Sequence, residues 1–219
     1  MKRLPASSGA ALIACFVLFS VHLAASAQPA VTDILDRLQA RYDEATTLQA
    51  DFSQHLTTPD GEHLPGVSGS LLLRGNQYRV DTDAQTFVTD GQTTWIYNRY
   101  ENQILVNDYV EDPSTFSLSD FLYAFDENYE VLETSEGYLD GIKHEILALR
   151  PRSDESFFRE VTLWVRDTDS AITRLRVIDV NEAELEFSLE HLVFNPPLNG
   201  NPFDFAPPAD AELIDLRSE

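Results

Sequence analysis

Apolar side chains recur at every second position through most of this chain, and the run from Gly69 to Asp108 shows the pattern at its most regular. Leu71, Leu73, Tyr78, Val80, Phe87, Trp95, Tyr97, Ile104 and Val106 keep the two-residue spacing of pleated strands. Gly75-Asn76 and Asp90-Gly91 stand where tight antiparallel turns form at least cost. The alternation predicts strands at Leu48–Thr58, Ser68–Arg74, Gln77–Asp83, Thr86–Thr89, Thr93–Asn98 and Gln103–Val110, and later at Tyr129–Thr134, Lys143–Arg150, Phe157–Arg166, Ile172–Val180 and Glu184–Phe194. In the last of these, Leu185, Phe187 and Leu189 face one way and Glu184, Glu186, Ser188 and Glu190 the other, so one sheet face meets water. Two stretches change period. Val31, Ile34, Leu35, Leu38 and Tyr42 predict an amphipathic helix, and Leu118, Phe121, Leu122 and Phe125 a short aromatic one, either a packing helix or a cover over a groove. Pro196-Pro197 and Pro207-Pro208 bracket Phe203-Asp204-Phe205, which reads as an extended segment that docks the C-terminal tail. About ten or eleven antiparallel strands with so few helices curl toward a barrel, whose hollow would suit an apolar ligand.

The N-terminus is an address. Lys2 and Arg3, the apolar stretch Ala10–Leu23 and Ala25-Ser26-Ala27 form a secretory signal with cleavage after Ala27, leaving residues 28–219 as a single domain. The apolar stretch is fourteen residues, short of the ~20 that span a bilayer as a helix. Leu12-Ile13-Ala14-Cys15 loosely matches a lipidation box, but the apolar Phe16-Val17-Leu18-Phe19 that follows belongs inside a signal sequence. Cys15 is the only cysteine, so the exported chain has neither disulfide nor thiol chemistry.

Charge narrows the partners. The net charge is −22, and loss of Lys2 and Arg3 makes it −24, a surface that repels nucleic acid and anionic headgroups. The acids are scattered, which fits a solvated shell, one suited to a salty medium, better than a site for a cation.

Motifs for catalysis are missing. His55, His63, His144 and His191 stand in no metal-ligand spacing and read as surface or turn residues; Asp81-Thr82-Asp83 and Asp167-Thr168-Asp169 lack the glycine and glutamate of a calcium loop. There is no Gly-x-Ser-x-Gly elbow and no glycine-rich phosphate loop.

Leu48-Gln49-Ala50-Asp51-Phe52-Ser53-Gln54, Gly69-Ser70-Leu71, Tyr78-Arg79-Val80, Val88-Thr89-Asp90-Gly91, Trp95-Ile96-Tyr97-Asn98 and Phe203-Asp204-Phe205-Ala206-Pro207-Pro208 together resemble the periplasmic outer-membrane lipoprotein carriers, the LolA family. The resemblance implies an α+β fold: an incomplete, half-open antiparallel β-barrel of about 11 strands with helices covering an apolar concave face. It implies a periplasmic, monomeric, non-enzymatic carrier without cofactor or metal. Its partners would be lipoprotein acyl chains, an inner-membrane ABC transporter that releases them and an outer-membrane receptor, but no nucleic acid. The cavity would be lined by Leu71, Leu73, Tyr78, Val80, Phe87, Trp95 and Tyr97, with Leu118, Phe121, Leu122 and Phe125 in the lid helix. The family holds its lid closed with an arginine that precedes a proline; here Leu73-Arg74-Gly75-Asn76-Gln77-Tyr78 lacks that proline and is one residue shorter, leaving Arg74 as the candidate. Two other readings remain open: a related lipoprotein-sensing or receptor module, and a periplasmic hydrolase with unrecognised carboxylates.

Overall fold

The computed structural model describes residues 31–110, 128–153 and 156–217. The expected leader and the expected lid helix, with Leu118, Phe121, Leu122 and Phe125, lie outside the described residues.

The described chain is a helix, α1 (Val31–Asp43), and twelve strands: β1 (Leu48–Thr57), β2 (Val67–Arg74), β3 (Gln77–Thr82), β4 (Gln85–Thr89), β5 (Thr93–Asn98), β6 (Gln103–Asp108), β7 (Tyr129–Leu139), β8 (Ile142–Pro151), β9 (Phe158–Arg166), β10 (Ile172–Asp179), β11 (Glu184–Phe194) and β12 (Glu212–Asp215). All twelve belong to one sheet in the order β12-β6-β5-β4-β3-β2-β1-β11-β10-β9-β8-β7. Two meanders, β1–β6 and β7–β11, therefore meet where the first strand pairs with β11. β12 and β7 are the sheet's two ends, so the barrel is incomplete.

The turns follow the local chemistry. Asp140 and Gly141 between β7 and β8 take φ of +50° and +78°, the paired left-handed conformation that lets a two-residue hairpin match strand twist. At the junction of the meanders, Gln49 faces Val193 while Asp51 faces Glu190, so β11 carries an extra residue. His191 sits at that bulge with φ of +48°, its Nδ1 2.8 Å from Asp51 Oδ2.

Residues paired directly across strands project from one face. The inner face carries Leu48, Ala50 and Phe52 of β1, Leu71 and Leu73 of β2, Leu147 and Leu149 of β8, Val161, Leu163 and Val165 of β9, and Leu175 and Val177 of β10. These join Ile34, Leu38 and Tyr42 of α1 in one buried core. Three buried helix side chains contribute roughly 1.5–3 kcal/mol each, enough to hold a single helix on the sheet. Polar contacts set where the helix sits: the Ile172 amide donates to Tyr42 Oη at 3.1 Å, Arg41 lies over the Phe194 ring at 3.7 Å, and Arg37 donates to both oxygens of Glu145.

The outer face has two characters. Across β8–β11 it is wet and charged, with Arg174–Glu186 and Arg176–Glu160 bridging strands. Across β2–β6 it is covered by the C-terminal tail: Phe203 is fully buried, as are Val88, Ile104 and Val106. One sequence expectation fails here. His144 is neither a surface nor a turn residue but buried, with its ring nitrogens on Ile142 O and Thr173 Oγ1 at 2.9 and 2.8 Å. The carbonyl can only accept, so Nδ1 carries a proton and donates to it.

Candidate functional site

The inner face changes exposure from one side of the sheet to the other. Where α1 covers it, Leu147, Leu163 and Leu175 are fully buried. On β3–β6 the inward side chains Tyr78, Val80, Phe87, Ile96 and Leu105 are only half-buried. They form an apolar surface. Among the described residues no group of three or more His, Cys, Asp or Glu is placed to hold a metal ion.

Register decides which expected cavity residues belong together. Leu71 pairs with Val80, Leu73 with Tyr78, and Val80 with Phe87, so these five share the inner face. Trp95 and Tyr97 do not join them. Phe87 pairs with Ile96, which places Trp95 and Tyr97 on the opposite face, under the tail. There the Phe205 ring lies 6.3 Å from Trp95 and 6.5 Å from Tyr97. Within the five, Leu71 and Leu73 are core, 7% and 5% exposed, while Tyr78, Val80 and Phe87 are accessible. The sequence reading missed Ile96 and Leu105. The only signal for them was parity counted from Phe87, and Trp95 and Tyr97 had drawn attention to the other parity.

Arg74 lies on the outer face beside Leu73. Its Nε donates to Gln77 Oε1 at 2.8 Å, an Nη to Asn201 Oδ1 at 3.2 Å, and its guanidinium stands 4.5 Å above the Phe203 ring. Its described contacts thus fasten the tail, and any contact with residues 111–127 falls outside the described residues. Arg79 adds a bond to Pro202 O at 3.4 Å and is itself held by Asp81, which also accepts from Thr86 at 2.7 Å. Burial raises the Asp81 pKa, but the hydrogen bonds from Arg79 and Thr86 and the charges of Arg79 and Arg99 outweigh it and leave it lowered.

A concavity of about 540 Å³ opens beside α1, lined by Asp33, Asp36, Arg37, Glu145 and Asp167. Its lining is charged, the reverse of what an acyl chain requires.

The open sheet thus leaves an apolar inner face accessible on β3–β6. Residues 43–206 match the family described as outer membrane lipoprotein carrier protein LolA, and the chain belongs to that family. It is 25% identical over 189 residues to an outer-membrane lipoprotein carrier protein of Histophilus somni (strain 129Pt), covering 84% of this chain and 89% of that protein. It is 25% identical over 210 residues to the carrier protein of Psychromonas ingrahamii, covering 92% and 98%. Among solved structures, an uncharacterized conserved protein from Thermus thermophilus shares the fold, with a TM-score of 0.54 at 15% identity over 84% of this chain and 98% of that one. The role named for the relatives is carriage, which is not enzymatic. No described helix is long and apolar enough to cross a membrane.

Proposed function

We propose that this chain is exported to the periplasm by cleavage after Ala27 and carries lipoproteins there. It takes their acyl chains from an inner-membrane ABC transporter, shields them on its inner face and delivers them at the outer membrane. The observation that carries the reading is the half-buried apolar surface of Tyr78, Val80, Phe87, Ile96 and Leu105, continuous with the core at Leu71 and Leu73. Each exposed methylene of an acyl chain costs about 0.8 kcal/mol in water, so an aqueous crossing needs such a shield. The exported chain, at −24 once Lys2 and Arg3 are lost, stays soluble and off anionic membranes until a partner docks it.

Phe87→Glu and Tyr78→Glu test the reading, since each puts a carboxylate on the accessible part of the surface. The expected result is a folded protein that no longer holds an acylated lipoprotein released from inner-membrane vesicles. Folded variants that retain lipoprotein as well as the unaltered chain refute it.

A further inference from the structure

Cross-strand register lays a single apolar row across the inner face. Leu71 pairs with Val80, Val80 with Phe87, Phe87 with Ile96, Ile96 with Leu105, and Leu105 with Ile214 of β12. The rows beside it have other chemistry. Toward one end of β4–β6, Gln85, Asn98 and Gln103 stand in register; toward the other, Thr89, Thr94 and Asn107 do. Same-face neighbours along a strand are about 7 Å apart, so across β4–β6 the apolar row is one side chain wide, and it broadens to include Tyr78 and Leu73 only on β3 and β2.

The row has a closed end and an open end. It runs into Leu71, 7% exposed, and behind it Ala50, 1% exposed, which belong to the core. At the other end Ile214 is half-buried on the outermost strand, between the exposed Glu212 and Asp215. From Val80 to Ile214 are four inter-strand steps of roughly 4.8 Å, about 19 Å in all. One leaflet's chains fill about half of a hydrocarbon layer ~30 Å thick, so the row holds an acyl chain at full length.

Resting on the carrier reading above, we infer that one acyl chain lies across the strands rather than along them. It follows Val80, Phe87, Ile96, Leu105 and Ile214, with its methyl end against Leu71 and its polar end leaving over β12. A chain laid along β4 or β5 would meet an amide or hydroxyl row within one pleat in either direction, and would strip those groups of water without satisfying them. The path makes the C-terminal strand part of the binding surface and makes the row a gauge of chain length.

The test uses the exported chain with a hexadecanoyl and an octanoyl probe carrying the same fluorescent reporter. A short chain anchored at Leu71 ends near Ile96, whereas the long one reaches Ile214. Each buried methylene is worth about fourfold in affinity. Ile96→Thr should therefore weaken both probes by about fivefold or more, while Ile214→Thr should do so for the hexadecanoyl probe alone. Leu213→Thr, on the other face of the same strand, should change neither and shows that β12 stays paired. Equal effects of Ile214→Thr on both probes, or none on either, overturn the across-strand path. If the unaltered chain binds neither probe, the carrier reading itself fails.

Discussion

Phe203→Ala asks how much the outer-face tail contributes to the stability of the sheet it covers. Phe203 is fully buried, with the Arg74 guanidinium 4.5 Å from its ring centroid. Truncating a buried phenylalanine costs about 3–5 kcal/mol through lost transfer energy and the cavity left behind. The lower end applies, because a tail attached from one side can settle into part of the space. Loss of the cation–π contact adds about 0.5–1 kcal/mol at a partly exposed arginine. A total near 3.5 kcal/mol is a large part of the roughly 5–15 kcal/mol that holds a domain folded. With a urea slope of about 2 kcal/mol per molar, the unfolding midpoint by circular dichroism should fall by about 1.8 M. Protease cleavage in residues 199–211 should speed up in parallel. A shift below about 0.5 M with an unchanged slope would mean that the tail frays without involving the sheet, and would refute the assignment of Phe203 as its anchor.

Gly69→Ala should be among the most damaging single substitutions. A Cβ there would stand 2.0 Å from the Asp81 carbonyl oxygen and 3.1 Å from the Phe52 ring, so β2 and β3 must part, and the melting temperature should drop by the equivalent of about 3 kcal/mol. Asn195 holds a positive φ of +53° while its Oδ1 accepts from the Thr46 and Thr47 amides and its Nδ2 donates to Glu44 O. Asn195→Gly keeps the backbone conformation but leaves those groups unpaired; it should cost about 1–3 kcal/mol in urea titrations, and no loss would show that water replaces the side chain without penalty. The hydrogen bond from Arg166, aided by its charge, lowers the Asp169 pKa from 3.8. A carboxylate lowered on folding stabilises at pH above its unfolded value and stops doing so as pH falls through the folded one. Asp169→Asn should thus reduce stability at neutral pH and flatten its loss below 3.8, as read from thermal melts across pH.

Strand identity was legible because period-two alternation is a local property. Every strand expected between Leu48 and Phe194 is present, within a few residues except at the C-terminal end of β7, which runs on to Leu139. β12 was not legible. Its four residues are too few to show a period, and what makes Glu212–Asp215 a strand is the free edge of β6 beside it, which its parallel pairing covers. The order of segments that resembles the lipoprotein carriers was also present in the linear chain, and it led to the family directly.

The sequence by itself determined the alternating strands, the leading helix, the turns at Asp140-Gly141 and Gly75-Asn76 and the family; Phe203-Asp204-Phe205 docks as expected but is not extended, since it turns with the Asp204 amide on Asn201 O at 3.2 Å. Only the tertiary structure decided which parity faces inward. In Ser70-Leu71-Leu72-Leu73 both faces are partly apolar, so alternation alone is symmetric between them. Pairing with β1 breaks the tie by setting Leu71 and Leu73 opposite Ala50 and Leu48 in the core under α1. Once that face is chosen, pleat geometry carries the choice from strand to strand. Ile96 and Leu105 are brought beside Phe87, and Trp95 and Tyr97 are sent outward to Phe205. Tail and inner surface thus draw on the same strands, and a one-residue shift in register would exchange their roles.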